Sequence, residues 1–315
     1  MSEKNGEQST EVIKEWIERQ GHSLEMRVAR AFKENGFTVS QYEHYVDQES
    51  QAVRQVDVVA SLSREIGNSY ITVQLFIECK YAKTKPWIIL LTPQKLDSFT
   101  FFSRVLRGRH PSDWKNSLTL QERLVSRILL SLARSLEISK FNIESAGYTV
   151  LEKLEQGSKQ IDNAFEATVQ VSKSVEAHDV KNEEIFKNTV NDFETKLDRE
   201  KGYSEGGLKL LLSIAFPVIV INGQLFSSFL GDNNEIQVSE IGNGVVLVPY
   251  RQVEIFPKVQ VPLSPVHVVT EKNLGHFILK MRDALNSVIN QEQAIQDLIE
   301  YEQSKITRQR PVTDF

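Results

Sequence analysis

The chain has 315 residues, enough for one large domain or two ordinary ones. With 40% hydrophobic and 25% charged residues it has the composition of a soluble globular protein, which excludes a fibrous, collagenous or fully disordered chain. The net charge of −5 excludes a uniformly basic polyanion binder, although the average conceals an uneven distribution.

Residues 1–22 form a polar, charged, helix-compatible extension without the apolar run and cleavage site of a signal peptide. Ser23 to Asn35 reads as a helix: Ser23 can cap it, Leu24, Val28, Ala31 and Phe32 recur at helical spacing, and Gly36 follows as a stop. Phe37 to Tyr45 is extended and Asp47 to Ala52 a polar loop. Gln55 to Leu62 is a valine-rich strand, followed by a turn around Gly67 and Asn68. Tyr70 to Tyr81 is the clearest strand, with Ile71, Val73, Leu75, Ile77 and Cys79 on one face and Thr72, Gln74, Phe76, Glu78 and Lys80 on the other.

A short apolar run, Ile88 to Leu91, follows Pro86-Trp87 and leads into a mainly helical region in which Leu120 to Leu136 is the strongest helix. Glu144 to Lys201 reads as one or two long polar helices. Phe216 to Ile221, Gln224 to Leu230 and Glu240 to Tyr250 read as strands, with Asn222-Gly223 as a hairpin signal between the first two. A C-terminal helix runs from about 271 to 304. The longest apolar stretch, Leu208 to Ile221, is interrupted by Lys209, Ser213 and Pro217 and too short for a membrane span, so a cytoplasmic location without membrane contact is expected. These elements predict an α/β protein with a mixed β-sheet core flanked by helices. One composite domain over 23–315 is expected, with its core in 23–95 and about 208–270 and a helical insertion over about 96–205.

Charge is distributed unevenly along this order. From Lys80 to Arg134 eleven Lys and Arg face three Asp and Glu, a balance of +8; from Glu144 to Glu200 seven basic residues face thirteen acidic ones, a balance of −6. The first stretch suits a polyanion, but it equally suits the solvated faces of helices.

Four residues stand out. Glu25 lies within the apolar stripe of its helix: at about 100° per residue, Val28, Ala29 and Phe32 fall within roughly 60° of it. A carboxylate on a buried face needs a cation or hydrogen-bond donors, unless it is simply solvated in the first helical turn. Asp57 interrupts the valine-rich strand, where aspartate is depleted; a strand-end position or an ion pair with Arg54 is the plain explanation. Glu78 and Lys80 project from one strand face, either as a simple ion pair or as part of a site.

Taken together, Val56-Asp57, twenty intervening residues and Glu78-Cys79-Lys80 resemble the PD-(D/E)xK motif of the restriction-endonuclease-like superfamily. Val56 stands where the motif has proline, whose side chain does no chemistry. Glu25 falls where Holliday-junction resolvases and Mrr-type restriction enzymes carry an acid on the first helix, and Phe76-Ile77-Glu78-Cys79-Lys80 is similar to that branch. The resemblance covers about 23–91 and implies a metal-dependent nuclease (endonuclease) hydrolysing phosphodiester bonds, DNA before RNA, in restriction, phage defence or repair.

It also implies roles. Asp57, Glu78 and the Cys79 backbone carbonyl would ligate Mg²⁺ or Mn²⁺, and Glu25 would act through a water. Lys80 would orient or help deprotonate the attacking water. Lys83, Lys85, Arg104, Arg107, Arg109 and Lys115 are candidate phosphate contacts, and Trp87, Phe101, Phe102 and Trp114 are candidate stacking residues, although such aromatics are more often core.

Other chemistries have less support. Gly202 to Gly207 lacks the pattern of an ATP-binding phosphate loop. The six histidines have no ligand spacing; His44, ahead of Asp57 on the first strand, is expected on the surface rather than at the site. The lone Cys79 excludes a disulfide framework and a cysteine-based zinc cluster. The alternative is a catalytically inactive nuclease-like module that binds nucleic acid, or that joins another copy or a partner protein through 144–201.

Overall fold

In the computed structural model the alternating segment around Glu78 belongs to a 23-residue strand, β3 (Ser69–Leu91). The structure describes residues 2–66, 69–91, 145–150, 163–199, 211–249 and 263–289, with 293, 296, 297 and 300 also helical. Ile71, Val73, Leu75 and Ile77 line one face of β3, each no more than 1% exposed. Pro86 does not end the strand. It lies where pairing with the neighbour β5 (Leu211–Leu230) is interrupted, between Ala82 and Trp87, so its missing N–H removes no ladder bond there. The apolar run Ile88 to Leu91 is therefore the far half of β3 rather than a separate element.

Eight strands form one mixed, partly parallel sheet. To those two are added β1 (Thr38–Val46), β2 (Val53–Ile66), β4 (Ser145–Val150), β6 (Ile236–Ile241), β7 (Asn243–Pro249) and β8 (Leu263–Thr270). The order is β1-β2-β3-β5-β8-β7, with β4 also on β3 and β6 also on β5. The β3–β5 and β5–β8 pairs are parallel and the others antiparallel. With helices on its faces, the chain is an α/β protein.

The helices α1 (Ser2–Gln20) and α2 (His22–Glu34) precede the sheet, α3 (Asn163–Arg199) follows β4, and α4 (Leu274–Ile289) follows β8. On α3, Ala164, Ala167, Val171 and Val175 recur at helical spacing and join Val59, Phe76, Ile219, Val266 and Val268 in one core cluster. His267, between the last two, stacks instead against Phe277 of α4, with ring centroids 5.7 Å apart. Strand alternation therefore puts α4 on the face away from α3. Helix α2 touches α4 and buries Leu24, Val28, Ala29 and Phe32. No described helix is long and apolar enough to cross a membrane.

Several expectations are corrected. Within the expected helical span 144–201, residues 145–150 instead pair with β3 as a strand, while 163–199 form one long helix as expected, with its first turns packed on the chain's own sheet. Asn222-Gly223 is no hairpin: β5 runs straight through it, and the turn lies at 231–235, where Gly231 N–H bonds Glu235 O at 2.9 Å. Gly223 serves close packing, since a Cβ there would lie 2.3 Å from the Ala82 carbonyl oxygen. The expected strand from Glu240 to Tyr250 is divided at Gly242 between β6 and β7. The cap of α2 is Gly21, at φ 87°, with no side-chain cap bond, so Ser23 lies inside the helix. Gly36, also at φ 87°, follows the helix end as expected. The turn at 67–68 and the helix at 120–136 lie outside the described residues.

Candidate functional site

Strands β2 and β3 part at one point. Their ladder runs from Ile66↔Ser69 to Val58↔Ile77 and no further. Beyond it, β2 continues with β1 alone (Glu43↔Val56 to Val46↔Val53), while Glu78, Cys79 and Lys80 of β3 pair with Ile219, Val220 and Ile221 of β5. Asp57 and Glu78 occupy the first position after the split. A side chain takes over from the ladder there: the Cys79 N–H donates to Asp57 Oδ2 at 2.8 Å.

The neighbouring strand is distorted at the same level. Gln41↔Val58 and Glu43↔Val56 bracket Tyr42 and Asp57, which form no pair of their own, and Tyr42 sits at φ 60°. A bulky non-glycine residue at positive φ is strained, and such strain collects at functional sites. Alternation also slips at this point, since Val56 and Val59, three residues apart, belong to the same core cluster.

Glu25 reaches the fork from α2. It is 7% exposed; His22 Nδ1 lies 3.1 Å from its Oε2, and its charge acts on the Tyr42 hydroxyl, whose pKa is raised by burial and by Glu25. Glu78, 3% exposed, accepts from Lys80 Nζ at 2.7 Å. All four sequence-nominated residues interact electrostatically. Asp57 feels the charges of Glu25 and Lys80, and Glu78 feels Asp57, Lys80 and Glu25.

The carboxylates are short of positive charge. Burial pushes Asp57 up to about 6, Glu25 adding to the rise against the Cys79 N–H, Lys80 and His22. Burial together with Asp57 pushes Glu78 up to about 7, against the opposing pull of Lys80. For Lys80, burial favours the neutral amine, but Glu78 and Asp57 outweigh it and its pKa is raised. Burial raises the Cys79 thiol well above its usual value, which disfavours the thiolate.

Among the described residues no group of three His, Cys, Asp or Glu side chains is arranged to hold a metal ion. Alternation explains the spread: Glu78 and Lys80 share the face of Phe76, which is the α3 face, whereas Glu25 comes from the α2 side, and only the fork connects them. The donor set nevertheless fits a hard divalent cation in charge and chemistry. Mg²⁺ is commonly held by one or two carboxylates, with substrate phosphate and water completing its shell. Two carboxylates, one buried and one half-buried, with raised pKa values are what a cation would relieve.

The remaining nominations fare differently. Arg54 pairs with Asp47 at 2.8 Å rather than with Asp57. His44 is exposed, and Trp87, at 4% exposure, is core rather than a stacking residue. The Lys83 and Lys85 side chains, and Phe101, Phe102, Arg104, Arg107, Arg109, Trp114 and Lys115, lie outside the described residues.

Three residues were missed. His22 lies three positions before Glu25 on the same helix, a spacing that puts side chains in contact. Tyr42 would have emerged from counting the β1–β2 register outward from the 47–52 loop, which sets it opposite Asp57. Asp47 is fully buried and organises that loop: Oδ1 accepts from the Glu49 and Ser50 N–H groups, Oδ2 from Arg54 and Lys173. No protein-family model matches the chain, and no curated protein or solved structure matches it.

Proposed function

We propose that the chain is a metal-dependent phosphodiesterase of the PD-(D/E)xK, restriction-endonuclease-like kind, cleaving nucleic acid, DNA before RNA. The observation that carries this reading is the fork between β2 and β3, where the half-buried Asp57 and the buried Glu78 both have raised pKa values near the Lys80 ammonium. Structural carboxylates are normally paired until their pKa falls, as that of Asp47 does. Two that stay high beside a strained tyrosine have the character of a functional site.

Asp57, Glu78 and the Cys79 carbonyl would hold Mg²⁺ or Mn²⁺, which when bound supplies charge neutralisation at the phosphate and a more acidic water. The chain's own groups do the rest. Asp57 is fixed by the Cys79 N–H, which leaves its Oδ1 for a ligand. Lys80 keeps its proton at Nζ, so it orients the attacking water and counters negative charge growing on the phosphate rather than acting as the base. Glu25, held by His22, can accept a hydrogen bond from a water in the fork.

One observation favours a second reading, a nuclease-like module without catalysis: the acids do not form a three-ligand cluster among the described residues. A single experiment separates the two. Purified protein is incubated with plasmid, linear duplex, single-stranded DNA and RNA, with Mg²⁺, Mn²⁺ or EDTA. Metal-dependent cleavage abolished by Lys80→Ala supports the enzyme. Binding without cleavage under every metal supports the module.

A further inference from the structure

Three aromatic rings lead from α1 into the fork. The Trp16 and His22 centroids are 5.9 Å apart at 45°, and those of His22 and Tyr42 are 6.4 Å apart, edge to face at 79°. Trp16 is 55% exposed and Tyr42 39%. His22 turns Nδ1 to Glu25, which fixes its ring, and Tyr42 packs edge to face against that ring with its own surface left in water. If Trp16 only cemented α1 to α2, it would be expected to be covered. Instead half of the largest side chain on α1 stands open at the head of a row that ends on a candidate catalytic acid.

We infer that Trp16, His22 and Tyr42 form a stacking platform for an unpaired base next to the scissile phosphate, which makes single-stranded or flapped nucleic acid the preferred substrate. The inference rests on the nuclease reading above. Its physical basis is that every base has a π-face that stacks on an aromatic ring, and only an unpaired base exposes it. A duplex would present two phosphate backbones and so require unengaged cations. Among the described side chains, the cations on either side of the row in sequence are committed: Lys14 to Glu11, and Arg27 to Glu18 and Glu271. The exposed neighbours Val12 and Ile13 on α1 offer a rival occupant, a second copy of the chain.

The test reads binding, so it does not depend on turnover. Fluorescence anisotropy is measured for a labelled short single strand and for the same sequence as blunt duplex, with Mg²⁺, on the full chain carrying Lys80→Ala. The single strand should bind at least about tenfold more tightly than the duplex. Adding Trp16→Ala should weaken it about tenfold, and Trp16→Phe should restore most of the loss. A 2-aminopurine base in the strand should be quenched on binding, and not by the Trp16→Ala chain. Equal affinities with and without Trp16, or a preference for duplex, would overturn the platform. So would a dimer in sedimentation that Trp16→Ala dissolves while leaving the strand's affinity unchanged. If cleavage occurs and Trp16 is immaterial, only this inference falls; if nucleic acid is neither bound nor cut, the nuclease reading falls with it.

Discussion

Replacing Asp57 by asparagine removes one charge and keeps the side chain's shape, including an oxygen for the Cys79 N–H. Burial raises this carboxyl from 3.8 to about 6. Ionising it in the metal-free fold at neutral pH or above therefore costs about 3 kcal/mol, at 1.36 kcal/mol per tenfold change. Because the folded pKa is the higher one, the folded state binds the proton more tightly than the unfolded state. Stability is full below about pH 4 and is lost as pH rises through 6. In EDTA at pH 8, Asp57→Asn should be more stable than the unaltered chain by up to about 3 kcal/mol, or about 5 °C in Tm. The advantage should fall to roughly half at pH 5 and nearly vanish at pH 4. Adding Mn²⁺ at pH 8 should raise the Tm of the unaltered chain alone. Thermal melts by circular dichroism at the three pH values decide it. A variant equally destabilised at all three would mean that Asp57 is an ordinary structural acceptor, and the reasoning would fail.

Three other substitutions probe the frame around the fork. Lys80→Ala leaves Glu78 buried without its cation and should cost on the order of 3 kcal/mol at pH 8. It should cost little at pH 5, where Glu78 is already protonated; urea titrations at the two pH values test this. Asp47→Asn should cost about 2 kcal/mol at neutral pH by removing charged hydrogen bonds to Arg54 and Lys173. The pKa of Asp47 is held well below the usual range because Lys173, two N–H groups and Arg54 outweigh burial. Its contribution is therefore present above about pH 4 and lost as pH falls through the lowered value, so the gap between variant and unaltered chain should close in strong acid. Gly223→Ala drives a methyl into the Ala82 carbonyl and should lower stability by about 3 kcal/mol in the same titrations. A harmless alanine would show that the two strands are not in close contact there.

What could be read from the residues follows from how locally each feature is encoded. The alternation of Ile71 to Ile77 and the acid in α2's apolar stripe are local, and both elements formed where expected, although β3 runs farther. That Glu25, Asp57, Glu78 and Lys80 belong together came from the order and spacing that carry the resemblance; their charges act on one another at the fork, but among the described residues the acids form no three-ligand cluster. The fork itself depends on which strand pairs with which, and no single segment carries that information. Tyr42 at φ 60° could not be foreseen from residue type, since tyrosine ordinarily avoids that conformation. Asn222-Gly223 misled for the converse reason: the dipeptide favours a turn locally, but parallel pairing on β3 and the need for a residue without Cβ beside Ala82 keep β5 extended. Asp47 was passed over as loop polarity, because the Lys173 that balances it lies 126 residues away.

Calorimetric titration of Mn²⁺ into the metal-free chain at pH 7.5 or so bears most directly on whether the fork is a cation site. Binding in the micromolar to millimolar range is predicted, with a fraction of a proton released, mainly from Glu78, whose pKa is the higher of the two, and with the heat lost in Asp57→Asn and in Glu78→Gln. No saturable heat, or the same isotherm in all three proteins, would contradict the account.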